Sequence, residues 1–304
     1  MKFSYQDLQD LSSVSGGHFR TSSYDDAVKF CENLAKSHYE NFPVASLLVK
    51  KDKRRHIVAV YTFARIADDI ADENINIPAD KRNELLQQFA DNYKHNKTTN
   101  PIFLALNRTI DTFSLSYEPF DKLLSAFHRD IYFEQAKTVA ELYDYCSYSA
   151  NPIGELVLRI YGAYTPETEL LSNSICTALQ LTNFWQDLSI DSSKNRIFIP
   201  LDILAKHNLT NDDILNGRCT DALSACLTEL IDITKSEYLK GQNLPAKIND
   251  FGLRNELRIT LQGGYFVLKK CAALKEKLLI TRPKLIKSDI FFILVNMLLG
   301  KKIK

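Results

Sequence analysis

Glycine is scarce in this chain, ten among 304 residues, and the few present fall mostly between apolar segments. Strand-like alternation between turn signals is also rare, which excludes a fold of hairpins and points to an all-α protein. No apolar run reaches the roughly 18 residues that a membrane-spanning helix needs. The nearest is Ile290 to Leu299, followed by Gly300-Lys301-Lys302-Ile303-Lys304, a segment suited equally to capping a core and to lying on a membrane surface. Net charge is only +1 and no basic run is interleaved with aromatics, so there is no electrostatic case for a nucleic-acid partner. The six cysteines (Cys31, Cys146, Cys176, Cys219, Cys226, Cys271) form no C-x-x-C pair and no zinc spacing. They read as buried thiols of a reducing cytosol. Met1 to Asp7 lacks the apolar core of a signal peptide, so the expectation is a cytoplasmic protein, with peripheral contact at the inner face of the membrane as its one extension. Also missing are a G-x-S-x-G elbow, a Walker loop, a dinucleotide fingerprint and H-E-x-x-H. The histidines do not cluster; His38 alone is retained as a candidate, for its place in the polar and aromatic loop His38-Tyr39-Glu40-Asn41-Phe42-Pro43.

What is present is a pair of acidic pairs. Asp68 and Asp72, and much later Asp187 and Asp191, stand four residues apart in segments free of glycine and proline. On helices, both members of a pair project from one face, one turn apart. Like charges at that spacing disfavour an isolated helix by roughly 0.2–0.5 kcal/mol, so a cation belongs with each pair. Mg²⁺ suits, since it takes carboxylate oxygens and keeps positions for water and phosphate. Stepping back from Asp72 gives Asp68, Arg65, Ala64 and Tyr61; stepping back from Asp187 gives Asn183 and Gln180. These polar stripes are narrow and their other sides apolar, the pattern of a wet pocket inside a helical bundle.

The chain divides into helices at recognisable signals. A first long helix runs from a cap near Ser22 or Ser23 to before Pro43, and the helix of the first pair starts near Asp52. Pro78 opens the next, and Thr138 with Glu141 fits a reciprocal capping box. The Asn151-Pro152-Ile153-Gly154 segment should kink or break a helix, either freeing backbone groups that a ligand could use or forming a plain helix–helix corner. Glu167 to Ile190 reads as one long helix ending in the second pair, followed by Lys194-Asn195-Arg196, whose basic side chains could meet an anion held at the acids. A late helix from about Leu253 to Leu279 carries Gly263-Gly264, which implies a close helix crossing or a pocket wall there.

Four carboxylates with Arg65, and Arg196 as a further candidate, make a site for a metal-chelated diphosphate. Cations that stabilise departing diphosphate better than the bound ester promote ionisation of the C–O bond. The resulting carbocation needs an apolar aromatic wall; Phe42, Tyr61, Tyr145, Tyr148 and Phe184 are the candidates.

At these residues the chain resembles the squalene/phytoene synthase family over nearly its whole length. The resemblance rests on Tyr61 to Asp72, on Gln180 to Asp191 with Asn195-Arg196-Ile197, and on Tyr145 to Gly154. It implies a single domain over residues 1–304, a class I isoprenoid synthase helical bundle with a central cavity. It also implies that Asp68, Asp72, Asp187 and Asp191 bind Mg²⁺ and diphosphate, that Arg65 contacts phosphate, and that Tyr145, Gln180 and Asn183 line the cavity. Within the family the chain looks most like the bacterial hydroxysqualene synthase branch, through His38 to Ser46, Ser149 to Gly154 and Arg282-Pro283-Lys284-Leu285. That implies ionisation of presqualene diphosphate and capture by water, without nicotinamide, and handover of the product to a bilayer or to a neighbouring enzyme of the squalene pathway. There are two departures: Gln186 stands where condensing members usually carry arginine, and Asn41 where carotenoid-forming relatives have serine. Two alternatives stay open. One is a head-to-head prenyl transferase making presqualene diphosphate, squalene or phytoene/dehydrosqualene from farnesyl or geranylgeranyl diphosphate. The other is a non-catalytic, membrane-associated assembly factor of the same fold.

Overall fold

The computed structural model describes residues 3–37, 50–73, 77–298 and Ile303. The loop that carries His38, Asn41 and Phe42 lies outside the described residues, as does most of the lysine-rich tail. Among the described residues every regular element is a helix. The chain divides into two compact units, Met1–Phe133 with Glu155–Tyr164, and Glu134–Gly154 with Thr165–Lys304.

The first unit contains α1 (Tyr5–Ser12), α2 (Tyr24–Ser37), α3 (Lys51–Asp68), α4 (Ala79–Asn92), α5 (Pro101–Phe113) and α6 (Glu118–Ile131). Where α2, α3 and α5 meet, the residues are small: Ala27, Cys31, Ala35, Val58, Ala59 and Ala105 are all buried, which lets the helix axes approach closely. Where α3, α4 and α6 meet, the filling is aromatic. Phe63 lies 5.1 Å from Phe89, 5.1 Å from Tyr93 and 5.5 Å, edge to face, from Phe120. Such pairs add roughly 0.5–1.5 kcal/mol beyond the area they bury. The Tyr93 hydroxyl donates to Asp121 Oδ1 at 2.6 Å, so the ring sits in the core with its polar end satisfied.

The chain then passes through α7 (Val139–Ser149) and α8 (Asn151–Ile160), which divides between the units. The second unit is organised on α9 (Pro166–Gln186). It continues with α10 (Leu188–Ser193), α11 (Leu201–Lys206), α12 (Asn211–Leu215), α13 (Asp221–Gly241), α14 (Leu244–Lys247), α15 (Phe251–Leu274) and α16 (Lys287–Leu298). Trp185 of α9 is buried and its Nε1 donates to Thr234 Oγ1 of α13 at 2.8 Å. Glycines allow the crossings. A Cβ on Gly241 would stand 2.5 Å from Ile175 Cγ1, and one on Gly264 would stand 2.3 Å from the Tyr238 hydroxyl and 2.5 Å from Leu179 Cδ2. The close crossing expected at Gly263-Gly264 is therefore present.

Several local expectations need correction. The helix of the first pair ends at Asp68, and Asp69–Glu73 forms a wider π-helical turn, a feature frequent at functional sites. The long helix expected from Glu167 to Ile190 breaks at Asp187, whose φ of −98° and ψ of 9° separate α9 from α10. Thr138 caps α7 as expected, but the Glu141 carboxylate reaches the amide of Lys137 at 2.7 Å rather than that of Thr138. Of the six free thiols, Cys219 is exposed and Cys176 half-buried; the other four are buried. Burial pushes Cys31, Cys226 and Cys271 up to about 12, which keeps them protonated and inert.

Candidate active site

Along α3 and the turn after it, burial separates one face from all others. From Val58 to Asp72 the half-buried positions are Tyr61, Ala64, Arg65, Asp68 and Asp72, and every other position is buried. This is the stripe that helical spacing predicts, and it survives the change to a π turn. Arg65 is its centre. Its guanidinium lies 3.3 Å from Asp68 Oδ2 and 2.7 Å from Asp69 Oδ1, with Asp69 almost completely buried. The triplet thus divides its labour: Asp69 anchors the arginine, while Asp68 and Asp72 keep an accessible edge.

Asp68 retains 37% of its side-chain surface, yet the surrounding protein displaces enough solvent to matter. Burial pushes its carboxyl up to about 8, opposed by Arg65 and reinforced by the charges of Asp130, Asp72 and Asp69. Asp130, at the end of α6, carried no signal in the sequence, because its proximity to Asp68 is a tertiary fact. Tyr61, expected on a cavity wall, packs beside the small-residue cluster of α2, α3 and α5.

In the second unit the same separation recurs. From Gln180 to Asp191, Leu181, Thr182, Phe184, Trp185, Gln186 and Leu188 are buried, while Gln180, Asn183, Asp187 and Asp191 are open to differing degrees, as are Ser189 and Ile190 after the break. The break at Asp187 does not scatter the pair, because the Asp191 amide still donates to the Asp187 carbonyl at 2.9 Å. The Arg196 amide donates to the Asp191 carbonyl at 2.9 Å, which keeps the basic residue in the same turn of chain. Gln186 belongs to the buried side, where its Nε2 donates to the Pro283 carbonyl at 2.8 Å. Asp187 accepts a two-pronged bond from Arg282 through Nε and Nη2, the latter 3.2 Å from Oδ2. Arg282 entered the sequence analysis only through the resemblance; its 95-residue separation from Asp187 hides the pairing from any local pattern.

Tyr145 of α7 lies 5.8 Å from the Phe184 ring, and Phe184 stacks on Phe198 at 4.0 Å. Phe198 was not anticipated. The Asn-Pro-x-Gly segment breaks the helix at Ala150, as expected, and forms a helix–helix corner. Asn151 Oδ1 accepts from Thr177 Oγ1 at 3.2 Å, and a Cβ on Gly154 would stand 2.3 Å from Ser172 Oγ. The segment serves close approach to α9.

Among the described residues no three acidic, histidine or cysteine side chains enclose a metal by themselves. Mg²⁺ does not require that, since one or two carboxylates with waters and substrate phosphates complete its shell. The donors are hard oxygens, and a carboxyl pushed up by burial among three other acids is a place where an added cation relieves repulsion. The residues present therefore fit a divalent cation.

The family model for squalene/phytoene synthase matches residues 35–289, a span that contains both aspartate pairs. The chain belongs to the squalene/phytoene synthase family. A hydroxysqualene synthase from Zymomonas mobilis is 33% identical over 225 residues, covering 72% of this chain and 74% of that protein. One from Rhodopseudomonas palustris is 32% identical, covering 72% and 75%. Among solved structures, squalene synthase HpnC from Alicyclobacillus acidocaldarius superposes with a TM-score of 0.76 at 34% identity, covering 84% of this chain and 95% of its own. A dehydrosqualene synthase superposes with a TM-score of 0.79 at 21% identity over 91% and 97%, a likeness of fold. The all-α, isoprenoid-synthase-type architecture expected for the family is thus the one observed.

Proposed function

We propose that the protein is an Mg²⁺-dependent enzyme that converts presqualene diphosphate and water to hydroxysqualene and diphosphate. One observation carries this reading: each aspartate pair lies on an accessible polar stripe of a segment whose opposite side is buried, with a guanidinium against Asp68 in the first and against Asp187 in the second. A purely structural scaffold has no physical need for such stripes. Each pair, Asp68 with Asp72 and Asp187 with Asp191, would hold Mg²⁺, which would neutralise charge gathering on the diphosphate as the C–O bond breaks. Arg65 and Arg196 offer guanidinium donors to the phosphate oxygens. Heterolysis sends the bonding pair to the diphosphate and leaves a cyclopropylcarbinyl cation. Ring opening and attack by a water oxygen, with loss of one proton, complete the balance. No hydride is consumed, so no nicotinamide is needed.

The ring faces of Tyr145 and Phe184 are assigned to the stabilisation of positive charge. Tyr61, Gln180 and Asn183, with His38, Asn41 and Phe42, are assigned to substrate binding, whereas Gln186, expected among them, is completely buried against the Pro283 carbonyl. The relatives named hydroxysqualene synthase support the choice of reaction, and the family match across both units supports treating residues 1–304 as one catalytic domain. No helix among the described residues is long and apolar enough to cross a membrane. Ile290, Phe291, Phe292 and Leu294 of α16 are exposed, which supports peripheral contact with the cytoplasmic face of a bilayer, where a long apolar product would be delivered.

The test is incubation of purified protein and Mg²⁺ with presqualene diphosphate or, separately, farnesyl diphosphate, without nicotinamide, followed by mass analysis of extracted lipids. The expected result is hydroxysqualene from the first and no product from the second. A cyclopropyl diphosphate or a C30 polyene from farnesyl diphosphate would replace this reading with the head-to-head transferase. Absence of product in both, with Asp187→Asn leaving biological function intact, would favour the assembly factor.

A further inference from the structure

Residues 280–286 run as a strap between the short helix Lys275–Leu279 and α16, and three consecutive residues of it are held. Arg282 forks onto Asp187, the Pro283 carbonyl accepts from Gln186 at 2.8 Å, and the Lys284 carbonyl accepts from Lys270 Nζ at 3.0 Å. Lys270 also pairs with Asp289 at the start of α16, so the strap is clamped at its far end as well.

The pairing is between neighbours on each side: Gln186 and Asp187, consecutive at the end of α9, take Pro283 and Arg282. Gln186 is completely buried, and a neutral amide can satisfy a buried carbonyl there without the desolvation cost of a charge. Proline at 283 fixes its own φ and biases Arg282 to extended backbone. Arg282 therefore projects from a stiff, anchored segment, and a third of its side chain stays accessible. A guanidinium has five donors in a planar fork that matches carboxylate and phosphate alike. Two of them are engaged by Asp187.

We infer that Gln186 is a positioning residue: by holding the Pro283 carbonyl it places Arg282 as the diphosphate-binding cation of the second aspartate motif. Without metal, Arg282 neutralises Asp187, as Arg65 does for Asp68 and Asp69 in the first motif. A diphosphate held at Asp187 through Mg²⁺ would meet the same guanidinium, whose planar fork suits phosphate as well as carboxylate. This rests on the proposed function only in taking the second motif as a metal–diphosphate site.

The experiment is calorimetric titration of the full chain with inorganic pyrophosphate in the presence of Mg²⁺, and with Mg²⁺ alone. The variants are Arg282→Gln, Arg282→Lys, Gln186→Met and the double variant Gln186→Met/Arg282→Gln, with circular dichroism and thermal melting as controls of folding. Arg282→Gln is expected to weaken pyrophosphate at least tenfold while Mg²⁺ alone binds as well as in wild type or better, because a competitor for Asp187 is gone. Arg282→Lys should recover part of the loss, and being the milder change it still reads the inference should Arg282→Gln not fold. Gln186→Met should weaken pyrophosphate severalfold, and the double variant should be no weaker than Arg282→Gln, since Gln186 acts only through Arg282. Wild-type affinity in Arg282→Gln, or independent losses that multiply in the double variant, would overturn the inference and leave the proposed function standing. Absence of Mg²⁺-dependent pyrophosphate binding in the wild type, matched by Asp68→Asn, would remove both.

Discussion

Asp187 shows how much one residue can carry. Its amide donates to Asn183, its carbonyl receives Ile190 and Asp191, and its carboxylate holds Arg282. Asp187→Asn keeps the backbone bonds and one acceptor for Arg282, so the fold should persist with a melting temperature close to wild type. Turnover should fall on the order of 10²–10³-fold, as for loss of one preorganised charge-stabilising group, measured by product formation at saturating Mg²⁺. A second residue, outside the site, sets an acid limit on stability. His56 is buried, with Nδ1 2.9 Å from Thr109 Oγ1. That hydroxyl gives its own hydrogen to the Ala105 carbonyl, so it accepts from a protonated Nδ1. Burial, with Arg55 and Lys53 nearby, pushes His56 down to about 4. The unfolded chain takes up this proton near pH 6.5 and the folded chain only near 4, so stability is full above 6.5 and declines as pH falls through that window. The loss should be on the order of 2–3 kcal/mol by pH 4, and His56→Gln should remove that part of the pH dependence in urea titrations.

At the scale of elements, the site depends on helices that stop being regular at the chemically active residues. The π turn after α3 and the break at Asp187 both lie on aspartates of the motifs. The pattern of apolar positions reveals the stripes because burial obeys helical spacing even through a local defect. It does not reveal the defects, since Asp69–Glu73 and Asp187 carry no proline or glycine to announce them. Gly264 is the opposite case, legible because glycine in a helix interior demands a reason. Gly264→Ala would push a methyl into the Tyr238 hydroxyl and Leu179, so the gain in helix propensity is outweighed and a loss of about 1–3 kcal/mol is expected. Combining it with Tyr238→Phe removes the nearest clashing atom. Thermal melts should then show the pair costing less than the sum of the single changes; strict additivity would mean that the crossing relaxes elsewhere.

For the whole molecule, ligand binding and folding are linked. Mg²⁺ with pyrophosphate at about 100 times its dissociation constant adds about 2.7 kcal/mol, which should raise the melting temperature by roughly 3–6 °C. EDTA should abolish that rise without changing the far-ultraviolet spectrum, since the described cores of both units are built from apolar and aromatic side chains. An unchanged melting temperature with both ligands would contradict the proposed site. By itself the sequence determined the all-α class, the two aspartate stripes with Arg65, and the family, because helical periodicity and contiguous motifs are local properties of the chain. Only the tertiary structure decided that Asp130 adds its charge to Asp68, that Phe198 stacks on Phe184, and that Arg282 reaches Asp187. Each of these joins residues far apart in sequence. Such contacts are selected by packing and by the pairing of buried polar groups, which no local spacing encodes.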